Sequence, residues 1–280
     1  MRGMSVTIFD AMPSLGRKLL VAGKGGLNLT HGESMEKFVT RYDGGDRVFW
    51  GNLLNEFNPS ALREWAGGLG IETFQASSGR VYPKKMKAAP LLRRWITRLR
   101  ELGVQIETRH RLVGIKPGRP HELSFSNGVT VHAPAVVFAM GGGSWSRTGS
   151  DGSWVECFAT REIECRPLAP ANCGWEHAWS AETLALAEGK PLKNIVVSAG
   201  DQQAVGELLV SRYGLEGGAI YQLGAVLRAM KHPEIAIDFK PRFTREQLVA
   251  KMESVKRDVL EQARIRWKLS DAVHAILARK

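Results

Sequence analysis

No run of about 18 uninterrupted apolar residues occurs in the 280-residue chain, so nothing in it reads as a membrane-spanning helix. Met1-Arg2-Gly3-Met4 precedes neither a signal-peptide apolar region nor a cleavage site, and a cytoplasmic protein without a membrane partner is expected. Cysteine is scarce. Cys157, Cys165 and Cys173 offer no Cys-x-x-Cys pair and no even number for a disulfide framework, and only His177 lies near them, so reduced structural thiols are expected rather than a zinc site. There is no Ser-His-Asp order around a nucleophile elbow, no Gly-Lys-Ser/Thr phosphate loop and no His-Glu-x-x-His, which removes the common hydrolase, P-loop and zincin chemistries. Acidic residues are outnumbered, 28 against 39 Lys and Arg, for a net charge of +11. That balance raises nucleic-acid binding as a rival class. However, no helix-turn-helix, zinc-finger or RNA-recognition signature accompanies it, and the clusters Lys84-Lys85-Met86-Lys87 and Arg93-Arg94 read as solvated faces. No specific nucleic-acid partner is expected.

What is present is ordinary soluble composition, 44% apolar and 24% charged, in a length that suits one large or two medium domains. The organising stretch is Gly16-Arg17-Lys18-Leu19-Leu20-Val21-Ala22-Gly23-Lys24-Gly25-Gly26-Leu27-Asn28-Leu29-Thr30. It follows the apolar strand Val6-Thr7-Ile8-Phe9, which ends in Asp10. Glycines let backbone amides approach an anion, and Arg17 and Lys18 add charge-assisted hydrogen bonds. A solvated basic turn is the alternative from these residues alone. A parallel strand ending in a carboxylate is where dinucleotide-binding folds hold the adenosine ribose, after a Gly-x-Gly-x-x-Gly turn. Only nine residues precede Asp10, so the chain is expected to begin at the second strand of such a fold.

Three further stretches repeat a pattern: Gly79-Arg80-Val81-Tyr82-Pro83; Ala139-Met140-Gly141-Gly142-Gly143-Ser144 with Gly149-Ser150-Asp151-Gly152; and Gly206-Glu207-Leu208-Leu209 with Tyr213-Gly214-Leu215-Glu216-Gly217-Gly218-Ala219-Ile220. With the Gly-Arg-Lys-Leu-Leu segment and its Asn-x-Thr loop, they resemble the YhiN/BaiN-like flavoproteins, the aminoacetone oxidase family of FAD-binding enzymes. The order of all four motifs over most of the chain carries the resemblance. Asp10 stands where that family usually has Glu, and Gly25-Gly26-Leu27-Asn28 where it usually has Gly-Arg-Cys-Asn, which removes a cation near the flavin. Against the family pattern, the first strand with its Gly-rich turn and a C-terminal closing segment are expected to lie outside this sequence.

Along the chain, spacing predicts a short helix from Glu33 to Gly45, a helix from Asn58-Pro59-Ser60 with Ser60 as its cap, and a strand at Ile71–Phe74. Gly79 to Pro83 reads as a turn. Ala88 to Leu102 carries Leu91, Leu92, Trp95, Ile96 and Leu99 at amphipathic spacing, and Val104–Thr108 completes a strand-helix-strand crossover. Leu112–Ile115, Leu123–Ser126 and Val129–His132 read as a β-meander, the last two joined by the hairpin signal Asn127-Gly128. Ala135-Val136-Val137-Phe138-Ala139 is expected as a buried parallel strand, and Asp151 as the cap of a helix after it. Beyond Arg166-Pro167, strands at 194–198, 203–206, 207–210 and 235–239 suggest an antiparallel domain, with a helix from Gly217. A capping box at Thr244-Arg245-Glu246-Gln247 opens a final helix through Leu248, Met252, Val255 and Val259.

The expected fold is therefore α/β of the two-dinucleotide-binding-domain flavoprotein type: a partial FAD domain with β-meander at 1–166, a mostly antiparallel β domain at 167–243 and the start of a helical subdomain at 244–280. The resemblance implies an FAD-dependent oxidoreductase or oxidase of a small-molecule substrate, with NAD(P) or oxygen as redox partner. It implies cofactor contacts at Asp10 to ribose, Arg17 and Lys18 near ribose and pyrophosphate, Gly23, Gly25 and Asn28 along the loop, the backbone of Leu112 or Val113 to adenine, and Gly141, Gly142 and Asp151 near the cofactor again. Arg80 is the side chain it sets toward the substrate side of the flavin, with a surface arginine before a turn as the alternative, and His31 directly follows the loop it places near the flavin and is the one histidine with a candidate catalytic part. The alternative is a fragment that does not hold FAD and has no activity by itself.

Overall fold

A computed structural model describes residues 3–42, 46–161 and 163–278. The chain divides after Leu168 into two units. The first opens with β1 (Thr7–Asp10), α1 (Arg17–Ala22), β2 (Thr30–His31), α2 (Met35–Val39), α3 (Arg47–Glu56) and α4 (Pro59–Gly68). It continues through β3 (Thr73–Gln75), β4 (Arg80–Pro83), α5 (Ala88–Glu101), β5 (Gln105–Thr108), the meander β6 (Leu112–Lys116), β7 (His121–Phe125) and β8 (Thr130–Ala133), and α6 (Trp154–Ala159).

β1 and β5 pair in parallel, Thr7 opposite Gln105 through Asp10 opposite Thr108. The crossover into β5 therefore starts at β1, not at the Ile71–Phe74 segment. That segment instead joins the antiparallel sheet β2-β4-β3. Residues 80–83, expected as a turn, form the central strand of that sheet. The turn is confined to Ala76–Gly79, closed by the Gly79 N–H donating to the Ala76 carbonyl at 2.9 Å, while branched Val81, fully buried, and aromatic Tyr82 suit a pleated surface. The Arg17–Ala22 segment is helical rather than loop, because Lys-Leu-Leu-Val-Ala is a run of good or tolerable helix formers bounded by Gly16 and Gly23. Helix α4 is capped by Asn58, whose side chain accepts from the Ala61 N–H at 2.9 Å, and Ser60 lies inside the first turn. The Gly44-Gly45 stop expected after α2 lies outside the described residues.

The largest departure is Ala135–Ala139. It forms no strand, and Val137 is 92% exposed. An apolar run becomes a buried parallel strand only where neighbouring strands satisfy its N–H and C=O groups, and none runs beside it among the described residues.

The second unit contains β9 (Trp175–Glu176), α7 (Ala181–Ala187), β10 (Pro191–Ala199), β11 (Gln202–Ser211), β12 (Gly214–Glu216), α8 (Gly218–Ala229), β13 (Ala236–Asp238), α9 (Arg245–Ala250), α10 (Val259–Arg266) and α11 (Asp271–Leu277). Its sheet is antiparallel, in the order β13-β10-β11-β12-β9. The two strands expected at 203–210 are one ten-residue strand, β11, because the ladder to β10 runs on through Gly206 opposite Ile195. α8 covers this sheet with Ile220, Leu223 and Leu227 against Ile195, Val197, Leu208 and Val210, all at most 2% exposed. Leu269, Ala272 and Val273 of the C-terminal segment enter the same core. The capping box forms as expected, but α9 stops at Ala250 and the chain leaves helical geometry before α10, with Asp258 at φ 48°. Among the described residues no helix is long and apolar enough to cross a membrane.

Candidate functional site

In the first unit, the start of α1 and the Gly-rich segment 141–153 converge on one ammonium group. Lys18 sits in the first turn of α1 and donates from Nζ to Ser144 Oγ at 3.1 Å and Ser150 Oγ at 3.0 Å. The Ser150 hydroxyl donates a hydrogen bond to the Gly142 carbonyl at 2.7 Å, and the Trp154 indole N–H donates to the Gly141 carbonyl at 2.9 Å. Gly141 is at φ 74°, a conformation that only glycine adopts freely, and this turns the segment over. With both carbonyls held by side chains, the N–H groups of Gly141, Gly142 and Gly143 have no hydrogen-bond partner among the described residues. Around Gly142 a Cβ would meet nothing within 4 Å. Unpaired amides beside a lysine, in open space, are what a phosphate needs.

The other expected contact residues lie elsewhere in the first unit. Asp10 spends one oxygen, Oδ1, on the Met12 N–H at 2.8 Å, leaving the other for a hydroxyl donor. Arg17, half-buried beside Lys18, is in no hydrogen bond or ion pair among the described residues. In the meander, register shifts between Leu112 and Gly114, so Val113 stands outside the ladder and is 54% exposed, while Leu112 pairs with Phe125.

Asp151 does not cap α6. Ser153 holds the cap position, and Asp151 accepts from the Ser153 N–H at 3.1 Å and hydroxyl at 2.8 Å, and from Arg111 Nη1 at 2.8 Å. The Ser153 hydroxyl first, then its N–H and the Arg111 guanidinium, hold the Asp151 carboxyl below the usual carboxylate range against a smaller opposing effect of burial. The pair links the start of the meander to the end of the Gly-rich segment.

The loop after α1 hangs on the small sheet. The Leu29 N–H donates to Val81 O at 2.8 Å and the Leu27 N–H to Met86 O at 3.1 Å. Gly23 is buried, and a Cβ there would lie 2.5 Å from Ala88 Cβ, so α1 and α5 approach through it. Gly25 faces open space and Asn28 is exposed. β2 then sets His31 directly opposite Arg80 on β4, bringing together two residues 49 positions apart in sequence. His31 Nε2 lies 3.0 Å from the Ser78 carbonyl, which assigns the proton to that nitrogen; buried Nδ1 has no hydrogen-bond partner and lies 3.6 Å from Glu33 Oε1. Glu33 is held below its usual range by hydrogen bonds from Arg41.

Sequence reasoning did not select Ser144, Ser150 or Arg111. Their only signal was position: each serine follows a glycine in the motif that carries Gly141 and Asp151.

The family described as HI0933-like protein Rossmann domain matches residues 1–266. The 3-dehydro-bile acid delta(4,6)-reductase of Clostridium scindens is 26% identical over 251 residues, which are 87% of this chain and 60% of that protein. The chain thus spans about three fifths of the length of this relative.

Proposed function

We propose, from the premise that the chain belongs to the HI0933-like Rossmann-domain family of YhiN/BaiN-like flavoproteins, that it binds FAD through its first unit and serves an oxidoreductase acting on a small organic molecule. The observation that carries this is the Lys18–Ser144–Ser150 clamp with three unpaired glycine amides beside it. When bound, the flavin supplies two-electron transfer between substrate and a second redox partner, NAD(P)H or oxygen. The chain's own residues bind and orient. The free oxygen of Asp10 accepts a ribose hydroxyl, Arg17 and the amides of Gly141, Gly142 and Gly143 face phosphate, and the unladdered backbone of Val113 meets the adenine. Arg80, set opposite His31 across β2 and β4, offers a positive charge to a polar oxygen of the substrate, while the His31 N–H is held by the Ser78 carbonyl. The reductase activity of the Clostridium scindens relative, on a 3-dehydro-bile acid, supports the reductive direction.

The test is the visible spectrum of the purified chain after free flavin is removed. Flavin absorbance with FAD released in equimolar amount on denaturation supports the proposal. A second reading, that these 280 residues alone do not retain FAD, is favoured by the bare Ala135–Ala139 segment, and a protein that stays colourless after incubation with FAD would establish it.

A further inference from the structure

On the opposite side of α5 from α1 lies a cleft of about 580 Å³ that the flavin proposal does not use. α5 is two-faced. Ala88, Leu91 and Leu92 are buried, with Leu92 against Gly16 of the α1 cap and Ala88 against Gly23. Pro90, Arg93, Arg94 and Thr97 recur at the three-and-four spacing of the other face and line the cleft. The facing wall comes from Gly70–Glu72 before β3, from Pro83 at the end of β4, and from Lys84, Lys85 and Lys87 after it.

Its charge is one-sided. Five cations, Lys84, Lys85, Lys87, Arg93 and Arg94, line it against the single carboxylate of Glu72. Glu72 is already paired with Lys84, and the Lys84 ammonium holds the Glu72 carboxyl below its usual range. Lys85, Lys87, Arg93 and Arg94 have no ion-pair or hydrogen-bond partner among the described residues. α5 adds to the imbalance, since Lys87 occupies its N-cap, with no side-chain cap bond and no acidic residue in the first turn. A cation at that end has the wrong sign for the helix dipole, so the local sequence works against helix stability. Concentrating like charge in a concave wall raises the local concentration of anions.

We propose that this cleft is a binding site for a small ligand carrying two or more adjacent phosphate groups. Its volume falls within the range of small-molecule sites, roughly 300–1,000 Å³. Ile71, Pro83 and Pro90 supply an apolar floor beside the cations. A single-stranded polynucleotide would call for aromatic side chains on which bases stack, and no aromatic residue lines the cleft. Two guanidiniums on adjacent residues of a rigid helix suit the paired oxygens of neighbouring phosphates.

The experiment is calorimetric titration of the full chain with sodium tripolyphosphate, ADP, orthophosphate and a twelve-residue oligouridylate, repeated on the R93Q/R94Q double variant. Both arginines are exposed, so circular dichroism of the variant should match the parent. K193Q, an exposed lysine of the second unit, is the charge control. Saturable binding of tripolyphosphate or ADP at one site per chain is expected, at least tenfold tighter than orthophosphate, weakened at least tenfold in R93Q/R94Q and unchanged in K193Q. ADP binding tighter than tripolyphosphate identifies a nucleotide as the source of the phosphates, and the reverse order an inorganic chain. Absence of binding by both, equal affinity for orthophosphate, no loss in the double variant, or oligouridylate binding more tightly than either would each overturn the proposal. ADP is also the half of FAD that the Lys18 site would hold, so each titration is repeated on Lys18→Gln: binding weakened by R93Q/R94Q and unchanged by Lys18→Gln belongs to the cleft, and the reverse pattern belongs to the FAD site and overturns the proposal.

Discussion

In the second unit β10, β11 and α8 close around one continuous core, into which α11 and the residues before it also pack; sixteen buried residues belong to it among those described. The first unit has two smaller clusters of four buried residues, Leu27, Ala66, Ala88 and Leu91 around α4 and α5, and Ile115, Leu123, Phe125 and Phe158 under the meander, with Leu54, Val81, Leu92 and Val104 buried outside both. Its strands are likewise split into a parallel pair and two three-stranded sheets. Buried apolar area is the main source of folding free energy, so the second unit holds its shape through its own core. The unit carrying the candidate site has smaller buried clusters, joined by the long-range polar ties of Lys18 to Ser150 and Arg111 to Asp151. Such ties leave glycine amides and a carboxylate oxygen free for a ligand, and a ligand bound there adds its binding free energy to the stability of that unit.

The contrast breaks first at core positions. Leu208→Ala, at a fully buried residue of the large core, should cost about 2–5 kcal/mol of stability, read by denaturant unfolding. Val81→Ala in the smaller sheet should cost about 1–3 kcal/mol, from two lost methyl groups and a smaller cavity. If Val81→Ala costs more than Leu208→Ala, the two units do not differ as described. Gly23→Val forces branched carbons into Ala88, whose Cβ already lies 2.5 Å from any added Cβ, and should cost about 1–3 kcal/mol. Hydrogen exchange would locate that loss in α1 and α5, with β10 and β11 unchanged.

Arg111→Gln should cost about 0.5–1 kcal/mol, because both partners are partly solvated. Its pH dependence has a definite sign. The Asp151 carboxyl is lowered in the folded chain, so its stabilisation is fully present above the unfolded value of about 3.9 and is lost as pH falls through the lower folded value. Parent and variant stabilities should therefore converge on acidification below about pH 4, measured by thermal unfolding across that range. The smallest effect belongs to Val137→Ser, within about 0.5 kcal/mol of neutral, since that side chain is 92% exposed. A loss of 2 kcal/mol or more would show Val137 to be buried in solution.

Elements built from local chemistry were legible in the sequence. α5 announced itself by Leu91, Leu92, Ile96 and Leu99 at helical spacing, the β7–β8 hairpin by Asn127-Gly128, and α9 by Thr244 and Gln247. α3 gave no clean stripe because Val48, Phe49 and Leu53 lie on its exposed side. Ala135–Ala139 misled for a different reason: both burial and strand geometry depend on neighbouring strands that an apolar run does not encode, and Ala135, Val137, Phe138 and Ala139 are exposed. At the site, Lys18, Asp151 and the glycines stood out by type. Their partners did not, because Lys18 meets Ser150 across 132 residues and Arg111 meets Asp151 across 40, separations set by topology rather than spacing.

The most direct test of the central claim is a titration of FAD into the purified chain, followed by flavin fluorescence, in the parent and in Lys18→Gln. The account predicts saturable quenching at one FAD per chain, with affinity lowered about tenfold or more in the variant, the worth of a charge-assisted hydrogen bond. Quenching that is absent in the parent, or identical in the variant, would contradict it.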